Sequence, residues 1–256
     1  MTPHPPDPGF FLGYSKKIPP AFLRLSLVFA ACFLLGLATA ALALSLGGSN
    51  PGSGGYVDEL KGGRVSGVLE DRPYPILRVP ARDGRASRAI MLAGQGKTGV
   101  AAQAGPLEGR WTEVGGIFVK RGDLDMLLVA GDGIKPATTP VNAAEPEAPV
   151  PLGRWRLTGE ICDGKCYAGA MRPGSGLAHK ACANLCIIGG VPPVFVTTAP
   201  VEGRNFLLMA GPDGGPLPRA LLDKTAVLME LEGEVERRDD LLIFRVDMPG
   251  KAGTGS

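Results

Sequence analysis

A run of 22 residues from Leu25 to Leu46, LSLVFAACFLLGLATAALALSL, carries no charge. At 1.5 Å of rise per residue, a helix of that length spans roughly 33 Å, which matches a bilayer hydrocarbon core of about 30 Å. A cleaved secretory signal has a shorter apolar core, about 7–15 residues. Small residues around Ala38–Ala43 would suit a cleavage site, but the length of the run favours an uncleaved anchor. Lys16, Lys17 and Arg24 precede the run, and no Lys or Arg follows it until Lys61. The positive-inside rule then places the N-terminus in the cytoplasm and everything after residue 46 outside it. In a bacterium this describes a single-pass inner-membrane protein with its bulk in the periplasm. Residues 1–24 read as a Pro-rich, disordered cytoplasmic tail, 25–46 as the transmembrane helix and 47–57 as a flexible stalk.

Beyond the anchor, turn formers dominate. The chain has 38 Gly and 24 Pro among its 256 residues, and only 6% of it is aromatic. Long helices therefore do not dominate, and any cores are small and aliphatic. The net charge is +2 with both signs interspersed. No basic stripe is present, so nucleic-acid binding is not expected.

The rest of the chain contains an internal repeat. RVSGVLEDRPYP at 64–75 aligns with RLTGEICDGKCY at 156–167, pairing Gly67 with Gly159 and Asp71 with Asp163. IMLAG at 90–94 then aligns with LLMAG at 207–211, and GIFVKRGDL at 116–124 with GEVERRDDL at 233–241. Each copy offers four or five short strand patterns, with a Gly in the first strand where a small barrel bends sharply. The expected fold is mostly β: a single N-terminal transmembrane helix followed by two tandem OB-like small β-barrels, 58–134 and 153–248. A single β-sandwich is the alternative. Residues 135–152 include five prolines and read as an extended linker, and 249–256 as a disordered tail.

The second copy is longer where it matters. From Tyr74 to Met91 is 17 residues, whereas from the matching Cys166 to Leu208 is 42. The added stretch carries a helical run, LAHKACANLCII, which Ser175 can cap and Gly189–Gly190 end. A helix of about 176–188 puts His179, Cys182 and Cys186 at i, i+3 and i+7 on one face, with Cys166 approaching from the preceding loop. Three thiolates and an imidazole suit a tetrahedral Zn or Cu site. Cys162 is either a further candidate or a bystander, and Asp163 and Glu160 are candidates to hydrogen-bond the ligands from behind. Two alternatives stay open. Outside the cytoplasm the four cysteines Cys162, Cys166, Cys182 and Cys186 would make two disulfides, or a thiol would act catalytically. Both pairs are C-x-x-x-C, not the C-x-x-C redox spacing.

The residues Gly159-Glu160-Ile161-x-Asp163-x-Lys165-Cys166-Tyr167, Gly169, Met171, Pro173-Gly174, His179, Cys182-Ala183, Cys186 and Gly189-Gly190-x-Pro192-Pro193 resemble a group of bacterial exported OB-like small-barrel proteins. These share an Asp-x-x-Cys … His … Cys-x-x-x-Cys pattern. The resemblance covers about 155–193 and weakens from there to Val246. It implies that Cys162 is an addition and that Cys166, His179, Cys182 and Cys186 form the core set, an odd number of thiols that favours metal over pairing.

Three functional classes follow: an anchored metal-binding accessory protein associated with a membrane redox system or another membrane or periplasmic complex, a disulfide-stapled structural module, or a thiol oxidoreductase. No catalytic residue is assigned. Gly94–Gly99 lacks the phosphate-loop spacing and is expected on a hairpin rather than before a helix. No Ser–His–Asp set is available, because His4 lies in the N-terminal tail and His179 is the only other histidine.

Overall fold

The computed structural model describes residues 18–47, 52–82, 84–137 and 146–248. Most of the N-terminal tail, the middle of the linker and the C-terminal tail lie outside those residues. Two compact units divide the chain after Gly48.

The first unit is one helix, α1, Pro20–Gly47. Pro20 opens it, as a residue with fixed φ and no N–H can at a first helical position. The helix starts five residues before the uncharged run, so Arg24 lies within it. Its side chains are apolar on every face. Phe29, Phe33 and Leu35 are each more than 60% exposed, so no protein core covers them. The hydroxyl of Thr39 is tied back to the carbonyls of Leu35 and Gly36 at 3.0 and 2.9 Å. That arrangement satisfies the Thr39 hydroxyl without water. The helix is long and apolar enough to cross a membrane, with a mean hydropathy of 2.5 over its most apolar window.

The second unit is mostly β. Its N-terminal half holds β1 (Gly55–Val57), β2 (Arg64–Glu70), β3 (Ile76–Val79), β4 (Arg88–Gly94), a one-turn helix α2 (Ala101–Ala104), β5 (Trp111–Arg121) and β6 (Leu124–Pro136). Its C-terminal half holds β7 (Val150–Asp163), helix α3 (Lys180–Ile188), β8 (Pro193–Val201), β9 (Arg204–Ala210), β10 (Leu228–Arg238) and β11 (Leu241–Val246). The C-terminal half is a closed five-stranded barrel, β10-β11-β9-β8-β7. In it only β9 and β11 run parallel. The N-terminal sheet repeats the succession: β2, β3 and β4 pair antiparallel in turn, β4 pairs β6 parallel, β6 pairs β5, and β5 returns to β2. No strand pairing joins the two halves among the described residues.

The element ends differ from the sequence expectation in two places. Gly55–Val57, expected as stalk, is strand β1, because its backbone pairs with Phe118–Lys120 of β5. The linker is shorter than 135–152: Lys135 and Pro136 complete β6 opposite Thr112 and Glu113, and Val150 onward belongs to β7.

Residue alternation sorts the apolar side chains into three cores. Leu77, Ile90, Leu92, Phe118 and Leu127 fill the inside of the N-terminal sheet. Leu157, Ile161, Phe195, Leu207, Met209 and Phe244 fill the C-terminal barrel. Their neighbours on the opposite face do not meet solvent. Ile76, Met91, Met126 and Leu128 pack with Phe206, Leu208 and Ile243 in a third core shared by both halves. Continuous apolar runs such as IMLAG are the signature of strands buried on both faces. Cys162, Cys166, Cys182 and Cys186 sit at this seam.

The repeat glycines have one physical cause. A Cβ on Gly67 would lie 2.4 Å from the carbonyl oxygen of Arg78, and one on Gly159 would lie 2.3 Å from that of Val196. A Cβ on Gly116 would lie 2.1 Å from Leu128 O, and one on Gly233 2.2 Å from Arg245 O. At each point a coiled strand presses its backbone against its neighbour, which leaves no room for a side chain. Gly159→Ala and Gly233→Ala should each cost about 2–3 kcal/mol, near the upper end for forced overpacking, and show it in a thermal melt. Gly115→Ala is the control, since its Cβ would meet only the Arg64 side chain at 3.5 Å. An unchanged melting temperature for both barrel variants would contradict this account.

Candidate metal centre at the seam

Asp163 organises the site. It ends β7 with no exposed surface, one half-turn before Cys166. Its Oδ1 accepts the backbone N–H of Cys166 at 2.9 Å, which folds the chain into the π-helical turn Cys166–Ala170. Its Oδ2 lies 2.8 Å from Nε2 of His179, which is also buried. A buried carboxylate holding an imidazole fixes the ring's tautomer and orientation, the usual support for a metal-ligating histidine. Glu160 acts three residues earlier: its Oε1 accepts the Gly176 N–H at 2.6 Å and the Cys162 thiol at 3.2 Å. It thus ties down the loop that leads into the helical segment.

That segment is a 3-10 turn, Leu177–His179, followed by α3. His179 and Cys186 face inward and Cys182 is half-buried, while Leu185 and Ile188 on the far side are exposed. The structure brings two ligand triplets together. Donor atoms of Cys166, His179 and Cys182 lie within 4.8 Å of one another, and so do those of Asp163, Cys166 and Cys186. Cys166 is common to both. Cys162 belongs to neither and is a buried thiol engaged with Glu160. All five cysteines are free thiols, so the disulfide alternative finds no support. Cys166 lies among two groups of donors, with Cys182 in one and Cys186 in the other, and Cys162 turns toward Glu160.

Three residues outside the expected set complete the site. The loop Gly94–Gly99 is followed by α2, so it is not a hairpin, and it carries Lys97 onto the cysteines. Lys97 Nζ is 2.7 Å from Cys182 Sγ and 3.8 Å from Cys186 Sγ. Lys165, nearly buried, points the other way and binds the carbonyls of Gly94, Gln95 and Gly96, anchoring that loop. The loop packs on the end of α3, where Gly99 N–H donates to Gly189 O at 2.7 Å. A Cβ on Gly189 would fall 1.8 Å from Lys97 O, so this C-cap is glycine because a second backbone crosses it. Met171 is the third: its Sδ is 3.5 Å from Cys182 Sγ.

The charges agree with the geometry. The hydrogen bond from Cys166 lowers the Cys186 thiol to about 7 against the opposing effects of burial and Asp163, with Lys97 and Lys165 adding to the lowering. Cys166 is pushed up by that same shared proton, by burial and by Asp163. Of the two, Cys186 is therefore the one whose thiolate is favoured. Burial, then Glu160, pushes Cys162 far up, which leaves it an unreactive thiol. The hydrogen bond to Cys182 raises Lys97 and keeps it an ammonium.

Cys/His/Asp groups here can hold a metal ion. The donor set is what a soft or borderline ion takes: sulfur and imidazole, one buried carboxylate behind the imidazole, and an ammonium beside the sulfurs to offset their charge. No protein-family model matches the chain, and no curated protein or solved structure is significantly similar to it.

Proposed function

We propose that this chain is a membrane-anchored accessory protein, built as two OB-like barrels, that binds one Zn²⁺ or Cu⁺ at their seam. Cys166, His179, Cys182 and Cys186 are the ligands, with Asp163 orienting His179 and Glu160 bracing the loop. The observation that carries this reading is the buried Asp163–His179 pair beside the free thiol of Cys166, which lies in donor groups with both Cys182 and Cys186. The shared 1-2-3-5-4 strand succession of both halves supports the OB-like description. The 25 additional residues in the second copy, which include α3, read as an insertion into that plan. Lys16, Lys17 and Arg24 support an N-terminus in the cytoplasm and the barrels in the periplasm, where the partner would be a membrane or periplasmic complex. A second reading, a thiol oxidoreductase, draws on the lowered Cys186 and the ammonium of Lys97.

One preparation separates them. The full chain is purified in detergent, reduced and without chelator, and assayed for metal and for reactive thiols. The metal-site reading expects about one equivalent of metal, with Cys166, Cys182 and Cys186 protected until a chelator is added. Metal-free protein whose Cys186 reacts rapidly near pH 7 would overturn it in favour of thiol chemistry. The same chain with a reporter active only in the periplasm fused after Ser256 should show activity; activity only of a cytoplasmic reporter would reverse the proposed orientation.

A further inference from the structure

Resting on that site, we infer that its ion is monovalent copper and that Met171 is the donor that first receives it. Met171 Sδ sits 3.5 Å from Cys182 Sγ, yet the residue is 47% exposed. It lines a surface cleft of about 310 Å³ together with Cys166, Tyr167, Arg121 and Arg172. Sulfur donors thus run in series from solvent inward: the exposed thioether of Met171, the half-buried Cys182, then buried Cys166 and Cys186 with His179.

A methionine at that place has no packing role that requires it, since nearly half its surface is in water. A neutral thioether is a good donor to Cu⁺ and a poor one to Zn²⁺, so its position beside the Cys182 sulfur distinguishes the two ions. Charge argues the same way. Arg121 lies over the Tyr167 ring at 4.4 Å, Arg172 flanks the cleft, and the Lys97 ammonium touches Cys182. Repulsion from these three cations is twice as large for a divalent ion as for a monovalent one at the same distance. Entry is a ligand exchange: Cu⁺ leaves its carrier for Met171 Sδ and then Cys182 Sγ. Each bond to Met171 or a cysteine replaces one to the carrier; a cysteine still protonated gives its proton to solvent as its bond to copper forms, one already a thiolate gives none, and no electron is transferred.

Met171→Leu tests this, because a half-exposed, similarly sized replacement leaves the fold in place. The full-length wild type and the variant, both in detergent, are loaded anaerobically with Cu⁺ from a copper(I)-specific chromophoric chelator and separately with Zn²⁺ from a zinc chelator. The variant should take up Cu⁺ about tenfold more slowly or more weakly, with its Zn²⁺ affinity unchanged within about twofold. Equal loss for both ions, or no loss for either, in a protein whose wild type binds metal would overturn the role of Met171. A wild type that binds neither ion would instead remove the site itself.

Discussion

Replacing Cys166 with Ala should take the bound metal from about one equivalent to background, whereas Cys162→Ala should leave it in place. The two cysteines are four residues apart and both buried, so burial does not separate them. Geometry does: Cys166 alone belongs to both groups of converging donors, and Asp163 fixes its backbone N–H at 2.9 Å. Without it, neither triplet survives, and the remaining donors no longer surround one point. The metal-free variant should still fold, since trimming one buried sulfur removes less than a typical large-to-small core change, about 1 kcal/mol here. The loss then appears as a missing response to metal. An ion at a hundred times its dissociation constant stabilises the native state by about 2.7 kcal/mol, which is roughly 5–10 °C for a unit of this size. Wild type and Cys162→Ala should show that shift and Cys166→Ala should not. Elemental analysis beside the melts checks it, and a Cys166→Ala protein that keeps its metal would refute the centre as drawn.

What sequence could reach follows from whether the signal is local. The anchor is visible because an uncharged run needs no partner to be recognised. The repeat glycines are visible because both copies meet the same steric problem, a carbonyl where Cβ would be. The helical spacing of His179, Cys182 and Cys186 is local too. Lys97 is not: it stands 85 residues from Cys182 and arrives only because Lys165 clamps its loop and Gly189 admits its backbone. The same holds for the seam. Leu208 and Met91 look like any strand residue, and only docking of the two halves shows that their outward faces are a core. Asp239 and Asp240 read as a polar hairpin tip. The structure buries Asp239 and uses both acids as bridges to the other half, Asp240 accepting the Ala89 N–H at 2.7 Å.

That bridge is the second large effect. The side chain of Arg78, on β3, is 3% exposed and that of Asp239 is 1% exposed. The guanidinium meets the Asp239 carboxylate through both Nε and a terminal nitrogen, at 2.7 and 3.1 Å, and reaches Glu70 at 2.9 Å and the Glu147 carbonyl at 2.7 Å. A bidentate pair of this kind is strong in its native place, but it is dangerous to halve, because the surviving charge stays buried without a partner. Arg78→Ala should therefore destabilise the unit by about 3–5 kcal/mol, which lowers the melting temperature by roughly 6–20 °C. Asp239 has φ +52, a conformation that Asn tolerates, so Asp239→Asn removes the orphaned charge without straining the turn. In the Arg78→Met/Asp239→Asn double variant, Glu70 keeps its bond to Arg238 at 2.9 Å. No buried carboxylate is then left alone, and the double variant should be more stable than the sum of the separate Arg78→Met and Asp239→Asn losses by at least about 1 kcal/mol. Strict additivity, or an Arg78→Ala protein that melts with the wild type, would mean that the apolar seam alone holds the two halves together and that this ion pair contributes nothing to their docking.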